Sequence, residues 1–282
     1  MHALRRLLAM AVLAVAGLVI MPALTLPALA ADQPVIIDHT CINLGQVPAE
    51  WIDRAKQNLR LAYGHTSHGS QIVTGMDVLI WTSNQYAYNW DGTDGALSLH
   101  DYVPDGDLGS PDRVTWASRT REMLNAGSDR NVVVWSWCGQ VSWASPGDID
   151  TYLNLMNQLE RDYPGVKFIY MTGHLDTSGE GGNLHQRNNQ IRDYCRANNK
   201  VLFDFADIES YDPDGNYFLN RGGGDNCDYD GGNWADEWCS RNPGQCADCD
   251  CAHSRGINCQ QKGKAFWWML ARLAGWEGPE QQ

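Results

Sequence analysis

The sequence predicts an α/β fold: a three-layer α/β/α sandwich on a parallel sheet of about five strands. Three observations lead there. Short apolar runs alternate with amphipathic stretches from Pro48 to Trp276, a spacing that belongs to strand–helix–strand units. The run Val132-Val133-Val134-Trp135 is continuously apolar, as in a strand covered on both faces at the centre of a parallel sheet. About 250 residues follow the N-terminal leader, enough for one sizeable core, so residues 31–282 read as a single domain.

The elements follow in order. Residues 48–57 suit a short helix with Pro48 tolerated in its first turn. A strand over 58–63 comes next, then a helix over 70–81 that carries Ile72, Val73, Met76 and Leu79. The segment 82–112 is rich in Asn, Asp, Gly and Tyr and holds one short strand, Ala96 to Tyr102, among loops. Trp116, Thr120 and Leu124 share a face in a helix from Val114 to Asn125. The central strand occupies 131–137. Ser145-Pro146 opens a helix over 147–162, with Tyr152, Leu153, Met156 and Leu159 on one face. A strand from Val166 to Met171, a helix over 184–197, a strand from Lys200 to Phe205 and an apolar C-terminal helix complete the alternation.

Arg5 and Arg6, an apolar run from Leu7 to Ile20 and the small-x-small Ala28-Leu29-Ala30 form a signal peptide over residues 1–30, so the expected localisation is secreted or periplasmic. The run is too short and wrongly flanked for a membrane span. Its removal takes away two arginines and no acid, moving the formal charge from −13 to −15. Such an acidic chain is unsuited to nucleic acid, which is bound by neutralising phosphates with Lys and Arg, and to anionic membranes. All nine cysteines lie in the mature chain, six of them between residues 227 and 259, which marks a Cys/Asp-rich insertion at about 210–250 tied by disulfides, with one thiol left over.

Ligands of parallel sheets bind beyond the carboxyl ends of the strands. Ser67, Cys138-Gly139-Gln140 and Thr172-Gly173-His174 each follow a predicted strand and therefore share one edge. Near the C-terminus, Asp250-Cys251-Ala252-His253 precedes a helix. An Asp can fix the tautomer of such a His, and the His can deprotonate a hydroxyl. Ser67 is the expected nucleophile, with Ser70 and Thr66 as neighbours able to take its place. The edge also places His65, His68, His174 and Trp143 as substrate-binding residues.

The order Ser67, Asp250-x-x-His253, Asn258, Gly263 resembles the SGNH (GDSL-like) hydrolase family, over most of residues 56–276. The block around Ser67 departs from Gly-Asp-Ser and reads Gly64-His65-Thr66-Ser67-His68-Gly69, a His-x-Ser-x-Gly variant. The resemblance implies an SGNH or flavodoxin-like sheet and an esterase with Ser67, His253 and Asp250 as its triad. It also implies an oxyanion hole from the N–H groups of Ser67 and Gly109 and the side-chain amide of Gln140, where the family carries Asn. The expected substrate is a small-molecule or polysaccharide ester, with an O-acylated carbohydrate favoured by the Trp-rich loops. No cofactor is required.

Asn226-x-Asp228-x-Asp230-Gly231-(x5)-Glu237 has the oxygen spacing of an EF-hand loop, so Asn226, Asp228, Asp230 and Glu237 form a candidate structural calcium site. Against it, Cys227 is a disulfide candidate and neither flank reads as a helix. The alternative to an esterase is accordingly a non-catalytic, calcium-assisted glycan-binding protein on the same scaffold. A zinc site from His65, His68 and the Cys cluster is a further, lesser option.

Overall fold

A computed structural model describes residues 33–279, and the leader expected over residues 1–30 lies outside them. Seven strands form one parallel sheet: β1 (Val35–Ile37), β2 (Arg60–Gly64), β3 (Tyr88–Asn89), β4 (Leu97–Asp101), β5 (Val132–Trp135), β6 (Lys167–Met171) and β7 (Val201–Phe203). Their spatial order is β1-β7-β6-β5-β2-β4-β3, with every pairing parallel. The expected number of about five is corrected to seven. The five expected strands are all present, and the two additional ones are edge strands of three and two residues. Segments so short display neither period-2 alternation nor an apolar run; the neighbouring backbone makes them strands.

The helices are α1 (Ala49–Asn58), α2 (Ser70–Thr82), α3 (Thr115–Asn125), α4 (Pro146–Asp162), α5 (Asn183–Ala197), α6 (Phe205–Glu209), α7 (Trp234–Arg241) and α8 (Gly256–Leu273). Alternation along the strands divides the core. Leu61, Tyr63, Val132 and Val134 face α1, α2 and α8, whereas Val133 and Trp135 face α3, α4 and α5. That two-sided burial is why the central run is apolar without interruption. Helix α4 starts where Ser145 and Asp148 form a capping box with Pro146 in the first turn. Helix α8 is buried almost all round, and each of Phe266, Trp267, Met269 and Leu270 contributes about 1.5–3 kcal/mol by leaving water. It runs beside α2, where Gly75 and Gly263 face each other: a Cβ on Gly75 would stand 2.7 Å from the Gly263 nitrogen.

The Cys/Asp-rich insertion is more regular than expected. An antiparallel hairpin, β8 (Asp228–Tyr229) with β9 (Gly232–Asn233), leads into α7. Trp234 and Trp238, two tryptophans of this segment, are buried in a satellite core with Phe218, Cys227 and Ile257. Disulfides join Cys239 to Cys246 and Cys251 to Cys259. Cys227, expected in a disulfide, is instead a buried thiol 3.5 Å from the Ser254 hydroxyl. Among the described residues no helix is long and apolar enough to cross a membrane.

Candidate functional site

Strands β2 and β5 are neighbours, yet the chain proceeds from β2 outward to β4 and from β5 outward to β6 and β7. The sheet order therefore reverses between them, and a crevice opens beyond their carboxyl ends. Gly64 pairs with Trp135 at that end, so the segments that follow, His65–Gly69 and Ser136–Gln140, emerge side by side.

Three imidazoles stack there. The His68 ring lies 3.6 Å from the His174 ring and 4.3 Å from the His253 ring, with interplanar angles of 4° and 10°. His68 uses both nitrogens: Nδ1 is 3.1 Å from the Cys138 sulfur, and Nε2 is 2.9 Å from the Asp225 carboxylate. Burial opposes its protonation, but the bonds to Asp225 and Cys138 outweigh burial and raise it to about 9. The same bond from His68 holds the Cys138 thiol below its ordinary value. For Asp225 burial acts upward, and the His68 and His174 partners bring it down on balance. Cys138, His68 and Asp225 thus form one hydrogen-bonded row in which the imidazole bridges a sulfur whose value is lowered and a carboxylate, an arrangement that favours the deprotonated sulfur. His174 is pushed down chiefly by burial. Its Nδ1 donates to the Leu175 carbonyl at 2.8 Å, and its Nε2 is buried without a partner.

Ser67 is exposed beside this stack, and among the described residues neither its hydroxyl nor its N–H has an intramolecular partner. Ser70, the alternative nucleophile, donates to the Ser67 carbonyl at 2.6 Å, and Thr66 donates to Asp107 at 2.6 Å. His253 is also exposed, with φ +62° and no hydrogen bond at either ring nitrogen among the described residues. Asp250 stands in solvent and makes no bond to His253, so it does not orient the ring as expected. The Cys251–Cys259 disulfide, closing between the two residues and the start of α8, shapes this turn instead. Gly109 adopts φ +78°, and a Cβ there would stand 3.2 Å from Gln140 Cβ, so these two expected oxyanion residues are neighbours. The Gln140 amide, however, is committed: Oε1 accepts from Cys138 N–H at 2.8 Å and Nε2 donates to Asp107 at 3.2 Å.

The remaining expected residues divide. Trp143 is 69 % exposed and lies against Gly139, which in turn borders His174. His65 is fully buried and bonds the Thr66 carbonyl at 2.8 Å and Asp101 at 2.7 Å, so both its nitrogens serve the loop rather than a ligand. With Cys246 and Cys251 in disulfides as well, a zinc site built on His65 and the Cys cluster has no ligand set. In the EF-hand-like loop, Asp228 accepts from the Asn226 and Asn233 amides at 2.6 and 2.8 Å, and Tyr229 donates to Glu237. Asp228, Asp230 and Glu237 do not converge within 4.8 Å, and the calcium spacing of the sequence is not matched by a coordination sphere. His68, His174 and Asp225 do bring donor atoms within 4.8 Å of one another. A metal must lie in the plane of each imidazole that binds it, and two parallel rings 3.6 Å apart share no such plane.

Two buried groups support the stack from behind. Lys262, fully buried, donates to Gln71 Oε1 at 2.5 Å and Glu209 Oε1 at 2.8 Å. Gln71 Nε2 in turn donates to the Ala252 carbonyl at 2.6 Å, fixing the residue before His253. Glu209 Oε2 accepts from Leu175 N–H at 2.8 Å, fixing the residue after His174. Asp225, Glu209 and Lys262 escaped the sequence reading. The only local signal is the Gly222-Gly223-Gly224 run before Asp225, which marks a backbone led close to another segment. No family model, curated protein or solved structure matches this chain.

Proposed function

We propose that the chain is an exported serine hydrolase that cleaves a carboxylic ester at the carboxyl edge of its sheet. The observation that carries this reading is that two of the expected catalytic groups are both free at this edge. The exposed Ser67 hydroxyl has no partner, and the His253 imidazole, free at both nitrogens, is stacked on the residue next to it. In this reading His253 takes the Ser67 proton as the oxygen attacks the carbonyl, and later returns it to the leaving alcohol. The Ser67 N–H, which has no other acceptor, and the N–H of Gly109, beside Gln140, hold the oxyanion in this reading; each such donor supplies about 3–4 kcal/mol. Gln140 contributes only by giving up its bond to Asp107. With Asp250 unbonded, the working pair is Ser67 and His253, steadied through Gln71 and the Cys251–Cys259 disulfide. The exposed Trp143 ring offers a face on which a sugar or aromatic acyl group can stack.

The test is fluorophosphonate labelling of the mature protein, followed by peptide mass spectrometry. The expected result is an adduct on Ser67 that is lost in His253→Ala. Absence of a serine adduct in folded protein with intact disulfides would overturn the reading and favour glycan binding on the Trp143 surface.

A further inference from the structure

Cys138 is distinct from the other free thiols. Burial raises Cys41 to about 11 and Cys227 to about 12, and also raises Cys195 and Cys249. Cys138 alone among them is held down, chiefly by His68, against the opposing effect of its own partial burial. It is half-buried at the carboxyl end of the central strand, 3.1 Å from His68 Nδ1, with the Gly139 N–H also directed at its sulfur. The groups that set its charge are therefore His68, Asp225 and His174 in the stack, with Glu209 behind them.

Two features narrow the chemistry. The Cys138 N–H, the natural oxyanion donor of a cysteine acyl-transfer enzyme, is occupied by Gln140 Oε1 at 2.8 Å. That disfavours a carbonyl substrate for this sulfur. Beside the following residue, His174 Nε2 is a lone-pair acceptor, nine-tenths buried and without a donor, 4.0 Å from where a Cβ on Gly139 would stand. A buried acceptor left unpaired can take a hydrogen from a ligand that donates one, an O–H among them. A hydroperoxide has such a hydrogen and also presents an electrophilic oxygen to a thiolate.

We propose that Cys138, activated by His68 and Asp225, is a peroxide-reactive thiolate whose ligand is a small hydroperoxide seated against His174 Nε2. The sulfur attacks the O–H-bearing oxygen, so that an S–O bond forms and the O–O bond breaks. The sulfur is oxidised by two electrons to a sulfenic acid and the peroxide is reduced. The departing alkoxide, or hydroxide from hydrogen peroxide, takes a proton from the His68 imidazolium and leaves as alcohol or water. This chemistry does not involve Ser67 and stands or falls apart from the esterase reading.

The experiment uses the mature chain with its disulfides intact and hydrogen peroxide as the probe, with dimedone trapping and peptide mass spectrometry. The expected result is a dimedone adduct on Cys138 ahead of Cys41, Cys195, Cys227 and Cys249, formed equally in Ser67→Ala. Iodoacetamide at about pH 6, where an ordinary thiol is almost wholly protonated, should alkylate Cys138 about tenfold faster than a free cysteine peptide. Both rates should fall about tenfold in His68→Gln, and peroxide trapping should also slow in His174→Phe while alkylation persists. If His68→Gln fails to fold, Asp225→Asn takes its place with the same expectation. Alkylation of Cys138 no faster than the peptide would overturn the proposal. So would peroxide trapping that is spread over all free thiols, or that is unchanged in His174→Phe.

Discussion

Replacing Lys262 with methionine tests how the functional edge is supported. The ammonium and the Glu209 carboxylate are both fully buried, 2.8 Å apart, and the ammonium also lies 4.4 Å over the Phe205 ring. Lys262→Met keeps most of the volume but strands the Glu209 charge with a single backbone donor, Leu175 N–H. Breaking a buried pair by removing one partner costs about 3–5 kcal/mol. In a chain of this size that corresponds to a fall in Tm of about 6–20 °C. The pair replaced as a whole, in Lys262→Met with Glu209→Leu, should recover much of the loss, because two apolar groups of similar volume need no partner. The assay is thermal unfolding of both single variants and the double variant, read as a double-mutant cycle. If the edge is the hydrolytic site proposed above, labelling of Ser67 by a fluorophosphonate should fall further than stability accounts for, since Gln71 and Leu175 carry the network to His253 and His174. A loss below about 1 kcal/mol in Lys262→Met, or the absence of any coupling between the two sites, would refute this account of the buried pair.

Two other predictions concern the frame. His39 Nδ1 lies 2.5 Å from Asp207; burial lowers the His39 value, but the bond and charge of Asp207 prevail and raise it above 6.5, while the Asp207 value is depressed below 3.8. The raised His contributes fully below its unfolded value near 6.5 and loses that contribution as pH rises through the folded value. The depressed Asp contributes fully above 3.8 and loses it as pH falls. Denaturant unfolding should therefore show the stability advantage over His39→Gln largest between 3.8 and 6.5 and shrinking on either side; an advantage that grows toward alkaline pH would contradict the assignment. Gly75→Ala should separate α2 from α8, because its Cβ would run into the Cys259 carbonyl, and the expected cost is about 1–3 kcal/mol or more by thermal melting. Unchanged stability would mean that the helix crossing yields freely.

The sequence by itself determined the alternation of long strands and helices, the buried centre at Val132–Trp135, and the common edge that receives Ser67, Cys138 and His174. Those features are local. Hydrophobic period reports burial within a single element, and parallel connections bring every carboxyl end to one side. The tertiary structure alone decided that the sheet has seven strands, because edge strands of two or three residues are defined by their neighbours' hydrogen bonds. It also decided the chemistry of the edge. His68 meets Cys138 across 70 residues and Asp225 across 157, and Lys262 meets Gln71 across 191. No periodicity links positions so far apart. The same reason separates Asp250 from His253: a spacing of three residues permits a bond, but the turn closed by Cys251 and Cys259 directs the carboxylate into solvent. Spacing specifies which groups can meet, and the packing of α2, α8 and the insertion decides which of them do.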